Sequence, residues 1–198
     1  MTALIEFVWA ATAAGVAIGM YPVLRKHNAA LALGSVTGRI VEGVFVLIGT
    51  LSLLVLLSVS QKSLAPGAAS FQATADAMLA ARVWAHGFVM FLAFLSGAAM
   101  YYYVLYRSRL VPRWLAGLGL FGAALGLVAT VYSGFAQDFG FTTVNTVLNI
   151  PIALQEMVLA VWLIVKGFSA PTAAAIRPTE HRLDLSLAVP TQAASTAH

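Results

Sequence analysis

The chain has 198 residues, of which 61% are hydrophobic and only 9% charged, far below the ~25% charged residues of an average soluble domain. With a positive mean hydropathy, it reads as a membrane sequence. It has no cysteine, which excludes a disulfide scaffold, thiolate zinc sites, iron–sulfur clusters and a cysteine nucleophile together. Its eleven Lys and Arg exceed its seven Asp and Glu, but no basic patch interleaved with aromatics offers nucleic acid a surface.

Five apolar runs, 3–24, 36–60, 83–106, 114–134 and 147–165, are each long enough to cross a hydrocarbon core of about 30 Å. The expected fold class is therefore all-α: a polytopic transmembrane bundle of five spanning helices over residues 1–168, followed by a tail at 169–198. The first run is a retained helix and not a signal peptide, because Arg25 and Lys26 follow it instead of preceding it. Nine of the eleven basic residues (Arg25, Lys26, Arg39, Arg107, Arg109, Arg113, Lys166, Arg177 and Arg182) fall on one side of the spans, against Lys62 and Arg82 on the other. The positive-inside rule then sets the amino terminus outside and the carboxyl terminus in the cytoplasm. Tyr101, Tyr102, Tyr103, Tyr106 and Trp114 fall at the inner boundary, and Trp84, Phe135, Phe139 and Phe141 at the outer one. Both sets read as aromatic belts.

The outer connection 61–82 opens with Ala-Pro-Gly at 65–67, then offers Ser70 as an N-cap before an Ala-rich segment. This predicts a short helix lying on the outer surface. The second outer loop, 135–145, is aromatic and nearly uncharged, so it is expected to dip into the interface. Pro151 falls within the first turn or two of the last crossing, where a missing amide is tolerated or kinks the helix. From Pro171 onward Pro, Thr, Ala and Ser dominate with no apolar period, and the tail is expected to be disordered.

Polar residues inside the spans are the informative ones. A lone carboxylate at mid-membrane costs about 2.5–3.5 kcal/mol on insertion scales, so Glu156 is expected to face protein, water or a partner. At about 100° per residue, Asn145, Asn149 and Glu156 share one face of the last helix. On the second helix Arg39 and Glu42 are i,i+3 neighbours on a face with Gly43, Val46 and Thr50. His86 lines up with Met90, Ala93 and Gly97, a small-residue face suited to packing against another helix. Gly119, Gly122, Gly126, Thr130 and Ser133 form a stripe on the fourth helix, and Gly15 and Gly19 a GxxxG spacing on the first. Both read as close-contact faces, used within the chain or between copies of it. The expected site is thus an intramembrane polar cluster of Arg39, Glu42, His86, Asn145, Asn149 and Glu156.

Several of these segments resemble a known family. Tyr-Pro-Val-Leu-Arg-Lys-His-Asn at 21–28, Leu-Ala-Leu-Gly at 31–34 and Arg39-Ile-Val-Glu42 are similar to a signature of the bacterial membrane family called domain of unknown function 4386. So are Tyr-Arg-Ser-Arg-Leu-Val-Pro-Arg-Trp-Leu at 106–115 and Leu-Gln-Glu-Met-Val-Leu-Ala-Val-Trp-Leu-Ile-Val-Lys-Gly-Phe at 154–168. The resemblance implies a multi-pass protein of a bacterial inner membrane and brings no activity, cofactor or substrate with it. Members of that family usually carry one more apolar helix at the amino end. The expectation here is either a five-helix variant or a late start.

Each sharp reading has a plainer rival. Arg39 and Glu42 read as a substrate or ion clamp, or as a pair that neutralises itself. Glu156 reads as a proton carrier, or as a structural lock bonded to Asn149 or Arg39. His86 invites a metal or haem, yet His27, His181 and His198 all fall in loops or tail, so a bis-His haem within the chain is excluded and no metal or cofactor is expected. No hydroxyl nucleophile has a base in a recognisable motif, and phosphate loops and HExxH are missing. The favoured reading is a non-catalytic bundle whose polar cluster fixes packing or binds a lipid-like, amphipathic ligand. The alternatives are a small proton- or ion-coupled transporter or channel using Glu156 and, less favoured, a membrane enzyme acting on a lipid with His86 as acid or base. Expected partners are membrane lipids, a small amphipathic ligand and further copies of the chain, with no nucleic acid.

Overall fold

A computed structural model of the chain describes residues 1–62, 69–137, 139–140 and 142–169, with the side chains of 62 and 69–71 left aside. The tail from 170, Phe141 and the capping side chain of Ser70 lie outside the described residues. The described elements are helical: α1 Thr2–Leu24, α2 Ala29–Lys62, α3 Ala69–Trp84, a π-helical turn Ala85–Val89, α4 Met90–Ser108, α5 Arg113–Ala136 and α6 Thr143–Val165. Among the described residues five helices are long and apolar enough to cross a membrane, at Thr2–Leu24, Ala29–Gln61, Gln72–Ser108, Arg113–Ala136 and Thr143–Val165.

The third crossing is where the expected boundaries fail. No separate helix lies on the outer surface at 70–82. Instead α3 runs through the π turn into α4 as one rod and packs along α2. The stretch 72–83 has neither Gly nor Pro to stop a helix once started, and its Ala-rich composition favours propagation. The other ends have local causes. Asn28 Oδ1 accepts from the Leu31 amide at 3.0 Å and caps α2, and the Thr142 side chain caps α6 through the Asn145 amide. Arg109 and Gln137 take left-handed conformations, φ 56° and 54°, that terminate α4 and α5. Because α6 begins at Thr143, Pro151 sits deeper in the helix than the first two turns.

The helices pack in series: α1 against α2, α2 against α4, α4 against α5 and α5 against α6. Between α1 and α4 the contact is slight, and α6 makes no close backbone approach to α1, α2 or α4. Tyr102, fully buried, spans the distance from α4 to α6 by donating to Gln155 Oε1, while the Gln155 amide donates to the Leu115 carbonyl of α5 at 3.3 Å. Tyr101 and Tyr102 are therefore core residues and not part of an inner aromatic belt. Tyr103, Tyr106 and Trp114 are exposed, as a belt requires.

Small residues set the closest crossings. A Cβ built on Gly38 of α2 would lie 2.7 Å from the Cα of Gly97 on α4, so these two backbones touch where only glycine fits. Along α5 the stripe Gly119, Gly122, Gly126, Thr130 and Ser133 is buried. The GxxxG of α1 is different: nothing lies within 4 Å of a Cβ at Gly15 or Gly19. Helix α1 has one principal neighbour and turns Glu6, Ala10, Ala13, Ala17 and Leu24 towards the bundle, which leaves the glycine face outside. Replacing Gly38 by Val is expected to lower stability by about 1–3 kcal/mol through overpacking. Val at Gly15 or Gly19 should leave the unfolding midpoint in detergent unchanged, and equal losses at all three positions would contradict this packing.

Candidate functional site

Two polar networks are built where the helices bring opposite charges together, named inner and outer after the sides that the distribution of Lys and Arg leads one to expect. The inner one centres on Arg39 of α2. Its Nη1 donates to Glu42 Oε2 at 2.9 Å, one turn along the same helix. Its Nη2 lies 3.7 Å from Glu156 Oε1 of α6, beyond direct hydrogen-bond reach but within ion-pair range. The Tyr101 hydroxyl of α4 donates to Glu156 Oε1 at 3.3 Å, and the guanidinium sits 4.8 Å from the Phe94 ring centroid. Glu42 is only 2% exposed, whereas Glu156 retains 34%. One cation thus serves two carboxylates unequally. Glu42 is enclosed and well bonded; Glu156 is loosely held on the wall of a small pocket of about 180 Å³ between α1 and α6, with Arg39, Tyr101 and Ser35 around it.

The outer network was not anticipated. Arg82 of α3 donates to Glu6 Oε1 of α1 at 2.5 Å and to the Gly49 carbonyl of α2 at 2.7 Å. Thr50 of α2 adds a hydrogen bond to Glu6 Oε2 at 2.6 Å. Three helices are joined through one buried carboxylate. Arg82 falls just ahead of the run at 83–106 and reads as an outer-side charge, and Glu6, close to the amino end, is not singled out by the sequence pattern. The signal that could have found them is the unbroken helical composition of 72–83, which carries the third rod outward past Arg82.

Next to this network stands His86, in the π-helical turn. Its Nε2 lies 3.0 Å from the Val46 carbonyl, and its ring occupies the space a Cβ on Gly49 would need. The π turn matters here because the extra residue in the ring shifts the register of side chains along the rod. Phe139, from the outer loop, closes over Gly87 and meets the Trp84 ring edge-on at 5.0 Å. On α6, Asn145 Oδ1 accepts from Ser133 of α5 at 2.9 Å, and Asn149 Nδ2 donates to the Asn145 carbonyl at 2.8 Å. Asn149 Oδ1 is buried against Gly126 without a hydrogen-bond partner among the described residues.

The six residues expected as one cluster therefore divide. Arg39, Glu42 and Glu156 meet in the inner network. His86, Asn145 and Asn149 do not join it: they line a cavity of about 730 Å³ bounded by α1, the α3–α4 rod, α5, α6 and the outer loop. Trp9, Met90, Phe91, Phe139 and Ile150 give it apolar walls, and Arg82 with Thr130 adds polar groups. The shared face of Asn145, Asn149 and Glu156 on α6 is real, but its outer half addresses the cavity and its inner half addresses Arg39. Among the described residues no group of three or more His, Cys, Asp or Glu side chains could hold a metal.

Described elements that are all helical, with five helices able to span a bilayer, buried charges paired inside and apolar side chains outside, have the build of a multi-pass membrane protein. The chain matches the family described as domain of unknown function (DUF4386) over residues 1–167 and belongs to it. Comparison with curated proteins and with solved structures gives no match.

The unequal sharing of Arg39 sets a measurable asymmetry. Arg39→Ala leaves the enclosed Glu42 without a cation and should cost about 3–5 kcal/mol. Glu156→Gln removes the weaker claim on the same guanidinium and should unfold within a few degrees of wild type when heated in detergent. Equal midpoints for all three proteins would mean that the inner network does not hold the helices.

Proposed function

We propose that this is a non-catalytic multi-pass protein of a bacterial inner membrane, amino terminus outside and carboxyl terminus cytoplasmic. Its inner polar network fixes packing, and its outer-half cavity binds a lipid-like, amphipathic ligand. The observation that carries the reading is the cavity. Its ~730 Å³ falls in the range of about 300–1,000 Å³ usual for small-molecule sites. Its walls are mostly apolar with a few convergent polar groups, the pattern such sites share. The lining offers apolar side chains and hydrogen-bonding groups together, as an amphiphile requires.

Purified in detergent, the protein should carry an organic-extractable amphiphile in roughly stoichiometric amount, seen as an added mass by native mass spectrometry. Ala153→Phe, which fills the cavity from α6, should lose that mass while keeping the unfolding midpoint. An empty wild-type protein, or undiminished retention in the variant, would count against the reading.

The orientation has its own support in the distribution of Lys and Arg, and the absence of cysteine from the chain gives a clean background for testing it. Gln137→Cys should react with a membrane-impermeant maleimide on intact spheroplasts, and Ser169→Cys only after permeabilisation. The opposite pattern would invert the topology.

A second reading, a small proton- or ion-coupled transporter or channel using Glu156, is favoured by one observation: two carboxylates share a single cation, and the less tightly held one stands on a pocket. A proton or a small cation at Glu156 would balance that charge.

A further inference from the structure

The cavity beside His86 has features that narrow the class of its occupant, and this step rests on the ligand-binding reading above. The Val46 carbonyl can only accept a hydrogen bond, so its partner His86 Nε2 must carry the proton. In a neutral imidazole the other nitrogen, Nδ1, is then an acceptor. No described residue bonds to Nδ1, and it is not among the buried atoms left without a partner, so it stays accessible in a residue that lines the cavity.

Of the other polar groups of the wall, Gln137 and Thr146 also line the cavity and Asn149 Oδ1 is a buried acceptor without a partner among the described residues, while the remaining bonds are internal. Thr130 donates to the Gly126 carbonyl, Asn149 to the Asn145 carbonyl, and Asn145 accepts from Ser133. Arg82 brings the one full charge in the described lining, and Glu6 neutralises it at 2.5 Å. A carboxylate or phosphate ligand would have to displace Glu6 from that pair, leaving a buried carboxylate in place of the one it brought. A neutral head group asks for no such exchange.

Depth fits a head group as well. Counted at about 1.5 Å per residue, His86 lies about 30 Å along the rod from Tyr106, the thickness of the hydrocarbon core. His86 and Asn145 thus stand near the outer boundary, with Phe91, Ile150 and Ala153 extending the cavity towards mid-membrane. We infer that the cavity takes a neutral, hydroxylated amphiphile from the outer leaflet, its hydroxyl donating to His86 Nδ1 and its hydrocarbon lying along Phe91 and Ile150.

Trp9 lines the cavity, so a brominated ligand seated there should quench its fluorescence. The full chain in detergent would be titrated at alkaline pH with a dibrominated monoacylglycerol and, separately, with the fatty acid carrying the same bromines. The neutral probe is expected to quench saturably, at least roughly tenfold more tightly than the anion, with Trp9→Phe removing most of the signal. His86→Phe should weaken the neutral probe roughly fivefold, the value of one hydrogen bond. Ala153→Phe, which leaves His86 intact, should abolish binding and serves if the His86 variant does not fold. Anion binding as tight as that of the monoacylglycerol, or a folded His86→Phe protein with unchanged affinity, overturns the neutral-head assignment while leaving a ligand cavity. Saturable quenching by neither probe overturns both this inference and the reading it rests on.

Discussion

An arginine inside a bilayer must keep its charge solvated by protein, because the hydrocarbon core offers nothing else. Arg39 lies within a spanning helix and Arg82 on the rod of the third one, about 6 Å beyond His86, and each finds a carboxylate on a different helix from its own. Arg82 of α3 reaches Glu6 of α1; Arg39 of α2 reaches Glu156 of α6 after binding Glu42 on its own helix. The two pairs act at opposite ends of the bundle and pull on its two outermost helices. Neither α1 nor α6 is packed tightly to the far side of the bundle by backbone contact. Their positions therefore depend on side chains long enough to span the distance: the two arginines, Tyr101 and Tyr102. In water such pairs would add little; between packed helices, breaking one strands a buried carboxylate.

The same constraint explains why there is empty space between these helices. Helices without a hydrophobic drive to associate close up where small residues let backbones touch, as Gly38 and Gly97 do at the α2–α4 crossing. Along α6 that closeness exists only towards α5, where Gly122 meets Ile152. On the side facing α1 nothing comparable occurs, and α6 is held off by Tyr101, Tyr102 and Arg39. Both cavities fall in this gap, the smaller beside Glu156 and the larger beside His86. The π turn contributes by bringing His86 against Gly49 while Gly87 receives Phe139. A single extra residue in one helical turn thus shapes the wall of the larger space.

Much of the architecture was legible in the amino-acid sequence because hydrocarbon thickness is a strong ruler. Five apolar runs correspond to five crossings, and the segments around 21–42, 106–115 and 154–168 resemble the family to which the chain belongs. Arg39 and Glu42 could be paired from their i,i+3 spacing, and Glu156 could be singled out from its depth. The partners of these residues were less accessible, since helical phase gives a face but not which helix stands opposite. Tyr101 and Tyr102 looked interfacial because of where they fall along the span; their burial depends on α6 standing near them. Glu6 and Arg82 escaped for a different reason. A hydropathy boundary at 83 puts Arg82 outside the membrane, and only the continuous rod, packed along α2, reveals it as a partly buried charge in need of a partner. The glycines of α1 show the converse failure: their spacing is that of a contact face, but a peripheral helix has only one side covered.

The two networks also differ in charge, and this difference separates their roles. At the outer end one arginine meets one carboxylate, with Thr50 completing the set, so the charges cancel. At the inner end one arginine meets two carboxylates, so the described groups carry one negative charge more than they neutralise when both acids are ionised. A balanced pair favours a fixed structure and a neutral neighbour, while an unbalanced one favours whatever proton or cation restores neutrality. The larger cavity adjoins the balanced network and the smaller pocket adjoins the unbalanced one. The neutral amphiphile proposed for the first and the labile proton or small cation proposed for the second are therefore not competing accounts of one site. They are the occupants that the local charge of each would select, on a single gap whose width is set by the side chains that bridge it.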